Sequence, residues 1–110
     1  MIRSIIKMEV ANGHRGDVTQ LLRELVGPAR SMQGCLDCSF CQEFQTHTLC
    51  FCSEWNNEYN LERFIRSESF RSLLIAMDLA SEKPSVRFET VLRKAGMEHI
   101  SSIRKPSLDT

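Results

Sequence analysis

Hydrophobic periodicity along this chain switches between a two-residue repeat and a three-to-four-residue repeat, and the order of those repeats constrains the fold more than any single motif. In residues 2 to 10, Ile2, Ile6, Met8 and Val10 fall on one side while Arg3, Lys7 and Glu9 fall mostly on the other, the pattern of a half-buried strand. The polar stretch ANGHRGD follows as a turn, with Asp17 placed to cap what comes next. From Val18, the residues Leu21, Leu22, Leu25, Val26, Ala29 and Met32 form one apolar stripe of a helix. Gly27-Pro28 is expected to kink or loosen its last turns, and Gly34 stands where a left-handed cap is expected.

Residues 35–44 and 49–55 are two short β-type runs around QTHT, a tetrapeptide of hairpin length. If Gln45 pairs with Thr48, Cys41 faces Cys52 and Glu43 faces Cys50. One face of that hairpin then holds Leu36, Cys38, Phe40, Leu49, Phe51, Ser53 and Trp55, and the other holds Cys41, Cys50, Cys52 and Glu54. NNEYN reads as a turn. Helical spacing resumes over residues 58 to 80 with a break near Ser67-Glu68-Ser69. Residues 85–93 alternate again, placing Val86, Phe88, Thr90 and Leu92 on one side. The tail has Met97, Ile100 and Ile103 at helix-like spacing, as for a short helix, a docking arm or an unstructured end.

This order of elements predicts an α+β, ferredoxin-like βαββαβ fold with an antiparallel four-stranded sheet. Residues 1–93 form the expected domain and 94–110 the tail. Helices on one sheet face leave the other needing cover, which a homodimer burying sheet against sheet supplies. The 110 residues carry 14 basic and 14 acidic side chains, interspersed, so no electrostatic footprint for nucleic acid is visible. The N-terminus reads as a strand rather than a secretion signal, and no apolar run approaches the roughly 20 residues of a membrane helix. With five cysteines clustered between residues 35 and 52, an odd number better suited to reduced thiols than to a disulfide framework, a cytoplasmic location is expected.

Three stretches gain meaning from that order: SMQGCLDCSF ending the first helix, FCSEWNNEYNLERF ending the third strand, and SESFRSLL. Their spacing resembles the antibiotic-biosynthesis monooxygenase (ABM) family over about residues 2–92, with its glycine turn into strand two, its Glu-Trp pair and its phenylalanine-bearing helix. The resemblance implies a ferredoxin-like fold that dimerises into an α+β barrel. It also implies oxygenation of quinols or aromatic polyketides by O₂ without metal or flavin, and in one branch haem degradation. Such chemistry needs a flat aromatic pocket, a hydrogen-bond donor or base, and exclusion of water.

On that basis Trp55 is the candidate catalytic residue, and Phe40, Phe51, Ser53, Phe64 and Phe70 are candidate substrate-binding residues; plain core packing accounts for the same aromatics equally well. Where many family members carry histidines after Glu-Trp, this chain has Phe64 and Ser69, and IRSIIKMEV lacks the strand-one asparagine of the haem-degrading branch. Haem degradation is therefore disfavoured. His14, His47 and His99 all fall in predicted turns or the tail, and Tyr59, Arg63 and Arg66 are the remaining polar candidates. A non-catalytic dimeric module that binds a small aromatic or regulates a partner fits the same residues.

GCLDCSFCQEF begins like an iron–sulfur run, but that run needs cysteine and proline where Gln45 and Thr46 stand. In a strand, Cys38 and Cys41 point to opposite faces and cannot clasp one metal. Packing as small hydrophobes is the expected role of the cysteines. Cys41 and Cys52 are the one pair suggesting redox chemistry or a soft-metal contact.

Overall fold

The computed structural model describes residues 1–105; the last five residues of the expected tail lie outside the described residues. Eight elements follow one another: β1 (Ile2–Glu9), α1 (Asn12–Arg30), β2 (Cys35–Gln42), β3 (Thr48–Trp55), α2 (Glu58–Ile65), α3 (Glu68–Asp78), β4 (Ser85–Thr90) and α4 (Met97–Arg104). The strands form one sheet in the order β2-β3-β1-β4, every pairing antiparallel. This is the ferredoxin-like α+β arrangement expected from the periodicities.

Helices α1, α2 and α3 pack on one sheet face, and the core lies between the two layers. Ile6, Met8 and Val10 of the first strand region, Leu49, Phe51 and Trp55 of β3, and Cys38 of β2 meet Val18, Leu22 and Ala29 of α1 and Phe64, Phe70 and Leu73 of α2 and α3. Trp55 stacks on Phe64 with ring centroids 4.7 Å apart. Phe70 meets Phe64 edge-on at 5.3 Å, an arrangement the ring quadrupoles favour. The break between α2 and α3 is a capped one: Ser67 Oγ accepts from the Phe70 N–H at 3.2 Å, replacing a bond the new helix cannot make internally.

Four local expectations are corrected. α1 begins at Asn12 rather than after Asp17, on an N-cap, Ala11, that makes no side-chain capping bond. Tertiary contact sustains the early start, because Arg15 donates to the Thr46 carbonyl at 2.8 Å and contacts the His47 ring. The β2–β3 register is two residues from the expected one: Cys41 pairs with Cys50, Phe40 with Phe51 and Ser39 with Cys52. Gln45, at φ 63°, turns the chain within a longer loop. A shift of two preserves the faces while changing every partner. Leu36, expected on the covered face, is instead 54% exposed, because the ladder is irregular between Cys35 and Asp37 and an extra residue is pushed out there. Finally, β4 ends at Thr90 rather than Arg93, and its Val86 and Phe88 stay 44% and 48% exposed because the helical layer does not extend over that edge.

Beyond β4, the Val91 N–H donates to the Met1 carbonyl at 2.8 Å and the chain crosses to β3, where Lys94 pairs with Glu54. α4 buries none of its residues. The radius of gyration is accordingly 17.3 Å, against roughly 13 Å for a compact chain of this length.

Gly34 is where the helix-to-sheet turn becomes exacting. It sits at φ +83°, and a Cβ there would lie 2.4 Å from Asn60 Nδ2 and 2.5 Å from Asn56 Oδ1. Both backbone hand and space forbid a side chain. Gly34→Ala should therefore lower unfolding free energy by about 1–3 kcal/mol, read as a lower denaturant midpoint at unchanged slope; a midpoint within error of wild type would show that the corner relaxes freely.

Candidate functional site

The aromatic cluster singled out in the sequence is assembled, but as packed core. Trp55 is 0% exposed, and Phe51 and Phe64 are each 1% exposed. The Trp55 indole N–H is spent on Ser53 Oγ at 2.9 Å, itself buried, so the donor faces no cavity. Phe70 is likewise buried. Of the six candidates, Phe40 lines an open groove of about 470 Å³ between α1 and β2 with Arg23, Val26 and Arg30, and Ser53 borders a smaller hollow of about 190 Å³ with Arg3, Ile5, Cys52 and Glu54. Arg23 sits 5.6 Å above the Phe40 ring, a cation–π contact.

A second cavity, about 330 Å³, opens between α2 and β4 and is lined by Ile2, Glu58, Leu61, Glu62, Ile65, Phe88, Glu89 and Thr90. Its construction follows from helix geometry. Glu58 and Glu62 are four residues apart, as are Leu61 and Ile65, so each pair stacks on one side of the helix. Asn57 starts that helix by accepting from the Asn60 N–H at 2.9 Å, which fixes where Glu58 emerges. Glu58 also lies in the first turn, where the helix dipole favours a carboxylate. Ile2 supplies the sheet-side floor and the half-exposed Phe88 of β4 an aromatic wall. A void of about 150 Å³ takes one benzene ring, so this one admits a molecule of one or two rings. Glu62 is shared with Arg66 at 3.8 Å and Glu89 with Arg87 at 3.0 Å, whereas Glu58 has no ion-pair partner among the described residues.

None of these lining residues is among the candidate site residues of the sequence, where Ile2, Phe88 and Thr90 figure only as strand positions. The signal that could have found them is the interleaving of Glu58/Glu62 with Leu61/Ile65 in EYNLERFI, which puts acids and apolar residues side by side on one helix. The histidines stand elsewhere: His47 contacts Arg15 in the hairpin loop, His99 contacts Arg93 in the tail segment, and His14 lies in the first turn of α1. Arg63 donates to Gln33 Oε1 at 3.2 Å, and Tyr59 is exposed.

Glu54, next to the buried tryptophan, faces the uncovered side of the sheet. Its side chain is 12% exposed, held by Arg3 at 3.2 Å and by Lys94, and the Lys94 ammonium, then the Arg3 guanidinium, hold its carboxyl below the usual carboxylate range. Buried Asn60 donates Nδ2 to Asn56 Oδ1 at 2.8 Å and leaves its own Oδ1 without a partner among the described residues. Burial pushes the core-facing Cys38 thiol up to about 12. No group of three or more His, Cys, Asp or Glu among the described residues could hold a metal ion.

This layered sheet, with a small mixed cavity at its β4 edge, defines the class of ferredoxin-like α+β proteins. The antibiotic biosynthesis monooxygenase profile matches residues 1–73, and the chain belongs to that family. Solved structures share the fold. A Deinococcus radiodurans candidate antibiotic biosynthesis monooxygenase is 14% identical, with 88% of this chain and 98% of that one covered at a TM-score of 0.79. A Mycobacterium tuberculosis protein is 16% identical, covering 86% and 98% at 0.79, and a Pseudomonas aeruginosa protein 24% identical, covering 84% and 94% at 0.73. No curated protein matches the chain.

Two outcomes follow. Trp55→Phe should lower stability by about 1–3 kcal/mol through lost packing and the lost Ser53 bond, seen in denaturant unfolding. Because the folded-state pKa of Glu54 is depressed, its stabilisation is complete above the ordinary carboxylate value of about 4.3 and is lost as pH falls through the lower folded value. The Tm gap between wild type and Glu54→Gln should therefore be present at neutral pH and shrink on acidification; a gap independent of pH would contradict this.

Proposed function

We propose that the chain is a cofactor-independent monooxygenase of a small quinol or aromatic, with the α2–β4 cavity as its substrate site and Glu58, assisted by Glu62, as proton acceptor. The observation that carries this reading is the meeting of apolar floor, aromatic wall and paired carboxylates in one cavity of a family member. Phe88, Leu61 and Ile65 hold a flat ring; Glu58 accepts the proton of its hydroxyl or acidic CH; the resulting electron-rich anion reduces O₂ directly. For a CH₂ flanked by aromatic rings the balance is R₂CH₂ + O₂ → R₂C=O + H₂O. The substrate supplies all four electrons, so no outside reductant enters. A positioned base contributes typically about 10²–10⁴-fold.

An oxygen electrode read against a panel of hydroquinones and anthrones tests it. Uptake should exceed the spontaneous rate for at least one of them, and Glu58→Gln should lower kcat by about 10²-fold with KM less affected, while Ile65→Trp, filling the cavity, should raise KM. No uptake above the spontaneous rate across the panel would sink the enzyme reading for those substrates.

A second reading, a non-catalytic module that binds a small aromatic, is favoured by one observation: the Trp55–Phe64–Phe70 cluster is filled and no histidine stands at either concavity. Calorimetric binding of the same aromatics without oxygen uptake would select it.

Both readings include a homodimer. The uncovered sheet face carries Ile5, Cys50, Cys52 and Val91 among Arg3, Lys7 and Arg87 opposed by Glu43, Glu54 and Glu89, a mixed pattern that suits a self-complementary two-fold contact. The described part of the tail, residues 94–105, then serves as an arm, anchored by Lys94 to Glu54 on that face, with Met97, Ile100 and Ile103 left 73%, 52% and 70% exposed for a second copy. Sedimentation equilibrium should show a dimer, and Ile100→Asp with Ile103→Asp should weaken it at least tenfold; a monomer at all concentrations would refute the arrangement.

A further inference from the structure

Lys7 of β1, Cys50 of β3 and Cys41 of β2 lie in one row across three strands, Lys7 opposite Cys50 and Cys50 opposite Cys41. The Glu43 N–H donates to the Thr48 carbonyl at 3.0 Å. Ladder pairs alternate, so Cys41–Cys50, two residues along each strand, is also a hydrogen-bonded pair, with an expected Cα separation of about 5.5 Å. That lies inside the roughly 4.4–6.8 Å spanned by disulfides. Cys52 shares the face but pairs with Ser39, which leaves it diagonal to Cys41 at roughly 7–8 Å, beyond easy bridging. Cys38 is buried in the core on the opposite face.

We propose that Cys41 and Cys50 are a peroxide-oxidisable dithiol that closes into a cross-strand disulfide, a modification site separate from the α2–β4 cavity. The two thiols are unequal. Cys41 is exposed, whereas Cys50 is 3% exposed. A hydroperoxide therefore meets Cys41 first: its sulfur takes the terminal oxygen, the O–O bond breaks, and the products are a Cys41 sulfenic acid and an alcohol. Cys50 sulfur then attacks Cys41 sulfur, the S–O bond breaks, and hydroxide leaves as water with the Cys50 proton. Two thiols lose two hydrogens and two electrons, and the hydroperoxide is reduced to alcohol and water. Burial keeps Cys50 from meeting the hydroperoxide first and leaves the exposed Cys41 as the point of entry, while the Lys7 ammonium opposite Cys50 favours its thiolate for the second step.

The face that carries the pair is the one assigned above to dimer contact, so the test is run on protein diluted until sedimentation shows the separated protomer. The native chain is treated with excess tert-butyl hydroperoxide, alkylated, and mapped by non-reducing peptide mass spectrometry, with circular dichroism checking the fold of each variant. Two of the five thiols should become resistant to alkylation, in a single Cys41–Cys50 linkage that dithiothreitol reverses. Cys41→Ser should abolish the linkage, and Cys50→Ser should leave Cys41 as sulfenic or higher acid. If a variant fails to fold, the wild-type map decides alone. All five thiols remaining alkylatable, or Cys41 linked chiefly to Cys52, would overturn the proposal.

Discussion

The architecture depends on one corner, where Gly34 lets the chain leave the first helix directly beneath Asn56 and Asn60. Its left-handed φ and missing Cβ allow the Asn56 N–H to reach the Gly34 carbonyl at 2.9 Å. The entry of β2 is thereby tied to the exit of β3 and to the first turn of α2. Once the corner is closed, Trp55 at the end of β3 has one place to go, against Phe64 of α2. The angle at which α2 leaves the sheet then decides how Leu61, Ile65, Glu58 and Glu62 face β4.

The corner also explains why the Glu-Trp pair is structural here. Trp55 is turned inward and spends its donor on Ser53, and Glu54 is turned outward and spends its charge on Arg3 and Lys94. One strand end thus fastens both the core and the crossing of the tail, and neither residue is free to meet a substrate. The α2–β4 cavity lies instead at the sheet edge that the helical layer leaves uncovered. A half-exposed Phe88 beside a carboxylate-bearing helix is a poor hydrophobic seal, and that imperfection makes the cavity.

Much of this was legible from residue order. Period-2 and helical repeats placed every strand and the three packed helices, because burial on one face imposes those periods whatever the sequence identity. The faces of the hairpin were legible for the same reason. The register was not: it depends on Gln45 taking a left-handed conformation, a local event with no strong sequence signal, whereas a tight hairpin at QTHT sets Cys41 against Cys52 instead of Cys50. The early start of α1 was hidden because Arg15 gains partners only from the distant hairpin loop. At the site, aromatic identity pointed to residues that the core needed more than a pocket did. The cavity is built from glutamates and aliphatics whose meaning appears only when α2 and β4 are brought together by the fold.

The claim on which the functional account rests is that small aromatics occupy the α2–β4 cavity. Methyl-resolved NMR on selectively labelled protein, titrated with a redox-stable analogue of the quinol panel, addresses it directly. The account predicts saturable shifts at the methyls of Ile2, Leu61 and Ile65, with Leu22 and Leu49 in the deep core unmoved. Shifts centred instead on Val26 in the groove beside Phe40, or none at any of these methyls up to the solubility of the ligand, would contradict it.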